Sequence, residues 1–190
     1  MEYTSVAGIY EHINETRRRL VERVESVAEE RRTARSAENA WTIADIVEHL
    51  SITERGLLSV MTKMLDGVEA AAGGPQEDAT PGDAPAPAAF HPFSLDAYIE
   101  RARAQKFQAP ETVRPTGTAA VADSLARLAE SRARLDALRP RFERADLSAQ
   151  LFPHPAFGPL NLYQWLAFIG FHEARHLAQI ERLLEDGGGD

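Results

Sequence analysis

Apolar residues recur every three to four positions along four separate stretches of this chain, and no stretch shows convincing alternation in twos. A period of 3.6 gathers such residues on one side of a helix, whereas a strand with one buried face needs a period of 2. Apolar stripes on four helices must cover one another. The pattern therefore predicts an all-α fold, a four-helix bundle.

The first helix is predicted from about Val6 to Glu30, with Ile9, Ile13, Leu20, Val24 and Val27 on its stripe. Arg17, Arg18 and Arg19 lie among Glu11, Glu15, Glu22 and Glu25 and read as a solvated, ion-paired face. The second helix starts after Trp41, where Thr42 as N-cap and Asp45 three residues on resemble a capping box. Its apolar face runs from Ile43 through Ile46, Leu50, Leu58 and Met61 to Leu65. Residues 69–92 then change to Ala, Gly and Pro, which predicts a flexible loop. A short helix capped by Ser94 follows to about Gln105, and residues 109–118 are irregular around Pro110 and Pro115. The third long helix covers about Ala119 to Leu138, with Pro140 expected to end it. Residues 140–160 form a proline-shaped loop; the fourth helix begins at Asn161, an N-cap with Gln164 three residues later, and runs to about Asp186 before Gly187–Gly189.

The short link between the first two helices predicts antiparallel neighbours. The long segment between the second and third permits a crossover, so an up-down-down-up order is expected. The 190 residues suit a single domain spanning 1–190. With no cysteine there is no disulfide, no thiolate metal site and no cysteine nucleophile, so a transition metal would need histidine and carboxylate. A net charge of −8 disfavours nucleic acid as a partner. No apolar run reaches the roughly 20 residues that span a bilayer, and Met1 to Leu20 carry no apolar leader stretch, so a cytoplasmic location is expected. Apolar residues outside the narrow stripes fit either a homodimer or a broad core.

His172 and His176 are four apart on the fourth helix and stack on one side of it, within reach of a single ion. Trp165, Ile169, Ile180 and Leu183 share that side, so both imidazoles fall on a core stripe. Each has a nitrogen that must find a partner there, and two adjacent imidazolium charges would repel. A metal satisfies both; hydrogen bonds to core polar groups or buried water are the bland alternative. His49, at the shoulder of the second helix, is the best third ligand, although a lone shoulder histidine is ordinarily a half-exposed packing residue. His12 reads as solvated, and His91 and His154 each precede a proline in a loop. Three imidazoles would leave coordination positions open, as catalytic sites do. Nitrogen ligands favour zinc, nickel, iron or copper over magnesium or calcium, and affinity alone does not choose among them; a divalent transition metal is expected, zinc or nickel first and iron after them. Arg132 falls on the core face of the third helix, where it needs a substrate carboxylate or an internal acidic partner.

Residues 172–176 also read His-Glu-Ala-Arg-His, a literal metalloprotease motif. The extended form needs glycine three and histidine six residues further on, where this chain has Gln179 and Arg182. No predicted strand is available to hold a peptide. Proteolysis is set aside, and Glu173 is kept as a candidate general base toward a water on the metal.

Three segments resemble the DinB-like, or YfiT-like, superfamily of metalloenzymes. They are the tryptophan-led stretch Trp41 to Leu50 with its closing His49-Leu50, the loop His154-Pro155-Ala156-Phe157-Gly158-Pro159-Leu160, and His172 with Arg175-His176-Leu177-Ala178-Gln179-Ile180. Glu173 and the long Ala/Gly/Pro loop are not general features of that group. The resemblance implies an up-down-down-up bundle with a metal on His49, His172 and His176. It also implies a small-molecule substrate: relatives transfer low-molecular-weight thiols, isomerise maleylpyruvate with such a thiol, or are regarded as hydrolases. A bundle that binds metal and a small molecule or partner without turnover is the non-enzymatic alternative.

Overall fold

The computed structural model describes residues 1–35, 41–71, 90–104, 109–154 and 157–186. Its helices are α1 (Val6–Glu25), α2 (Glu29–Thr33), α3 (Ile43–Ala71), α4 (Asp96–Ala104), α5 (Val121–Arg144) and α6 (Leu162–Asp186). The long ones, α1, α3, α5 and α6, form the four-helix bundle. None of the described helices is long and apolar enough to cross a membrane.

Both helices that carry histidines of interest begin on reciprocal caps. Thr42 Oγ1 accepts from the Asp45 N–H at 3.0 Å while Asp45 Oδ2 accepts from the Thr42 N–H at 2.9 Å. Asn161 and Gln164 exchange the same two bonds at 2.9 Å each. Each box satisfies orphan donors of a first turn and so fixes where the helix starts, which fixes the phase of every side chain after it.

Cross-links give the helix directions. Arg141, late in α5, pairs with Glu69 and Asp66, late in α3, while Gly117, just before α5, bonds Glu48, early in α3. These two helices run parallel. Along α1 and α6, Gly170 lies against Ile13 and Arg17 bonds Glu173, so this pair is parallel as well. Tyr10 donates to the Leu135 carbonyl and Arg17 to the Leu128 carbonyl, a descending register that makes α1 and α5 antiparallel. The order is up-down-down-up.

Several local expectations are corrected. α1 stops at Glu25, where the Ser26 hydroxyl bonds the Arg23 carbonyl and competes with the helix. Pro140 does not end α5, which continues to Arg144. Phe142 is wholly buried against Tyr10, and Arg141 is pinned to α3, so packing beyond the proline outweighs one missing helix bond. Of the loop expected over residues 69–92, Glu69 to Ala71 are helical, and residues 72–89 lie outside the described ones. Gly187–Gly189 also lie outside them. Two ribbons were not foreseen: β1 (Glu2–Tyr3) pairs with β2 (Phe93–Ser94), and β3 (Leu151–His154) forms a hairpin with β4 (Gly158–Asn161). Strands of two to four residues are too short to display a period. Arg17 is buried rather than solvated, unlike Arg18, which does pair with Glu15 and Glu22 at the surface.

Candidate metal centre

His49 lies in the second turn of α3, and His172 and His176 lie midway along α6. The structure brings these three together: their ligand nitrogens all lie within 4.8 Å of one another. His172 Nε2 is 3.3 Å from His49 Nε2 and 3.2 Å from His176 Nε2. Nitrogens placed tetrahedrally about 2.0–2.1 Å from zinc stand about 3.3 Å apart.

Partners on the far side of two rings decide which nitrogen faces inward. The Val113 carbonyl lies 2.7 Å from His49 Nδ1, and a carbonyl can only accept, so Nδ1 carries the proton. Gln179 Oε1 lies 2.9 Å from His176 Nδ1 and acts in the same way. Both Nε2 atoms therefore present lone pairs to the centre, the arrangement that outer partners of metal-bound histidine usually enforce. Burial, the largest effect on all three, disfavours their protonated forms. It brings His176 down to about 3, and mutual repulsion with His49 adds to this. Three neutral imidazoles thus converge with at most one proton, on His172 Nε2, to share between two acceptors. A cation satisfies all three lone pairs at once. The donor set fits a divalent transition metal, with zinc among those it suits.

Aromatic rings pack around the cluster. The Trp41 ring lies 4.9 Å from His49 and is stacked 6.4 Å from His176, and Phe168 is stacked 5.6 Å from His172. His154 sits 4.6 Å from Phe168, placing the β3–β4 hairpin behind that wall. His91 is exposed. His12 is half-buried against Tyr3 rather than solvated.

Glu173 is placed elsewhere. Its carboxylate receives Arg17 Nε at 2.7 Å and lies 3.4 Å from Arg132, and no hydrogen bond joins it to a histidine among the described residues. Arg17 also pairs with Glu54, and Arg132 reaches Asn14 at 3.0 Å. Arg132 thus has the internal acidic partner that its position demanded. Burial pushes the Glu173 carboxyl up to about 7, against the pull of Arg17 and Arg132. The sequence did not reveal Arg17, Glu54 or the Val113 carbonyl as parts of this region. Gln179 was visible only as a departure from the protease motif and as one letter of the family pattern.

A family model described as the DinB superfamily matches residues 12–180. The uncharacterized protein YuaE of Bacillus subtilis is 47% identical over 36 residues, which is 19% of this chain and 22% of that protein. The chain therefore spans about a fifth of the length of that curated relative. Among solved structures, YfiT from Bacillus subtilis superposes with a TM-score of 0.61 at 20% identity, over 97% of this chain and 89% of that one. It is described as a probable metal-dependent hydrolase with an unusual four-helix bundle topology. At that identity the likeness speaks to fold.

Proposed function

The chain belongs to the DinB superfamily, and from that premise we propose a metal-dependent enzyme that transfers a low-molecular-weight thiol to an electrophilic small molecule. One observation carries the reading: three imidazoles converge on one point, those of His49 and His176 with their Nε2 lone pairs inward, while the nearby carboxylate is engaged by two arginines. A divalent ion held there supplies positive charge that ionises a coordinated thiol or water near neutral pH.

The protein's own part is positional. His49, His172 and His176 hold the ion on neutral nitrogens, and Val113 and Gln179 keep those of His49 and His176 facing it. Trp41 and Phe168 cover the ligand rings and limit access of bulk water. The thiolate sulfur would displace a leaving group from carbon, forming C–S as the bond to the leaving group breaks, with the thiol proton released to solvent. Glu173 is given no part in the proton transfer in this reading, because its carboxylate is turned to Arg17 and Arg132 and no hydrogen bond joins it to a histidine among the described residues.

Hydrolysis is the second reading, favoured by the description of YfiT. Protein loaded with zinc would be given an activated aryl halide with and without a small thiol, alongside a His49→Ala variant. Thiol-dependent turnover that disappears in the variant is the expected result. Turnover of ester or amide substrates with no thiol present would replace transfer by hydrolysis. Failure of native protein to retain or bind zinc or nickel would remove both.

A further inference from the structure

We infer that Glu48 is a positioning residue for the metal centre, acting through the loop that holds His49. The inference rests on the metal reading above for its consequence, though not for its geometry. Glu48 is 3% exposed, yet no cation pairs with its carboxylate among the described contacts. Both oxygens instead grip one loop: Oε1 accepts from the Thr116 hydroxyl at 2.6 Å and Oε2 from the Gly117 N–H at 3.0 Å. A buried carboxylate is costly unless hydrogen-bonded, so these bonds hold the loop as firmly as they hold the side chain.

The same loop carries the Val113 carbonyl that receives the His49 Nδ1–H at 2.7 Å. Consecutive residues of α3 thus clasp one loop in opposite senses, Glu48 accepting from it and His49 donating to it. Only Arg114 and Pro115 separate the two attachment points, and the proline restricts that link. Thr116 Oγ1 also accepts from the Thr118 N–H at 3.3 Å. Gly117 has φ +74, the left-handed conformation that glycine adopts without strain, and this aims its N–H at Glu48. Without Glu48 the Val113 carbonyl loses its anchor, and the His49 proton can move to Nε2, the nitrogen that must be bare to bind a metal.

The experiment uses full-length protein with 15N-labelled histidine, as wild type and as Glu48→Leu, Glu48→Gln and Thr116→Val. Two-bond 1H–15N spectra of the metal-free forms read the His49 tautomer, and competition against a chromophoric chelator reads zinc affinity. Wild type is expected to be protonated at Nδ1. Glu48→Leu should show mixed tautomers and bind zinc about 10- to 100-fold more weakly, the usual loss for an outer partner. Glu48→Gln should stay close to wild type, since its oxygen can accept from Gly117 and its amide can donate to Thr116 Oγ1. Thr116→Val, which removes one grip, should fall between. A purely structural role for Glu48 would lower thermal stability but leave tautomer and affinity alone, and that outcome overturns the inference. If Glu48→Leu does not fold, an unchanged tautomer and affinity in Thr116→Val overturns it equally. If wild type binds no zinc, the proposed function fails, and the tautomer comparison still decides whether the clasp exists.

Discussion

A histidine enclosed by aromatic rings must give up hydration to become charged, and His154 shows the consequence. Phe157, Trp165 and Phe168 surround it with ring centroids at 4.7, 4.9 and 4.6 Å. Burial alone brings its pKa down to about 4. Its folded value is thus below the unfolded one near 6.5, so the unfolded chain takes up the proton first as pH falls. The contribution of His154 to stability is fully present above about 6.5 and is lost as pH drops toward 4. In metal-free protein, urea midpoints should fall over that window less steeply in His154→Phe than in wild type. Phenylalanine keeps the ring packing and cannot take the proton. The other shifted histidines still supply a slope, so the difference between the curves is the readout. Parallel curves would show that the box does not resist the charge.

Helix α6 reaches its place beside α1 because residue 170 has no side chain. A Cβ there would stand 3.0 Å from Ile13 Cγ2 and 3.1 Å from the His12 ring. Gly170→Ala is expected to lower stability, since overpacking a filled core costs about 1–3 kcal/mol against a helix-propensity gain of at most about 1 kcal/mol. Gly56, exposed on α3 with nothing within 4 Å of its Cβ position, is the control. Gly56→Ala should gain up to about 1 kcal/mol from propensity alone. Thermal melts of the pair would show opposite signs, and a shared sign would mean that close approach at Gly170 does not govern the packing. Both capped helix starts were legible in sequence, because Thr42/Asp45 and Asn161/Gln164 carry their own chemistry. The three histidines were legible through spacing and family pattern together. Arg17 was not, because it stands with Arg18 and Arg19 in one charged run among glutamates, and periodicity cannot see a carboxylate on another helix. The Val113 carbonyl was invisible for a simpler reason: backbone acceptors occur at every residue and only folding selects one. Pro140 misled because its local cost was weighed without Phe142, whose burial comes from tertiary contact.

The apolar stripes of all four long helices are interrupted at one level, and the interruptions meet. Arg17 falls between Ile13 and Leu20, Glu54 between Leu50 and Leu58, Arg132 between Leu128 and Leu135, and Glu173 between Ile169 and Leu177. The core is correspondingly divided into two clusters, with Ile13, Leu58, Leu135 and Ile169 on one side and Leu20, Leu50, Leu128 and Leu177 on the other. The formal charges of two arginines and two glutamates cancel in this layer, and Arg17 contacts both carboxylates. Glu54 Oε1 and Arg132 Nε lack a partner among the described residues, so the layer is not an ideal source of stability. Its value lies in specification: sliding or rotating any one helix would strand a buried charge. Because Glu173 adjoins His172, the layer also sets the phase of α6 at the metal centre. Arg17→Met should therefore cost about 3–5 kcal/mol, since it leaves two carboxylates facing a single guanidinium. Adding Glu173→Leu restores charge balance through Glu54 and Arg132, which stand 3.9 Å apart. The double variant should then be more stable than Arg17→Met alone. A double-mutant cycle in urea measures this coupling directly. Simple addition of the two losses would mean that the four groups are independent ion pairs rather than one layer.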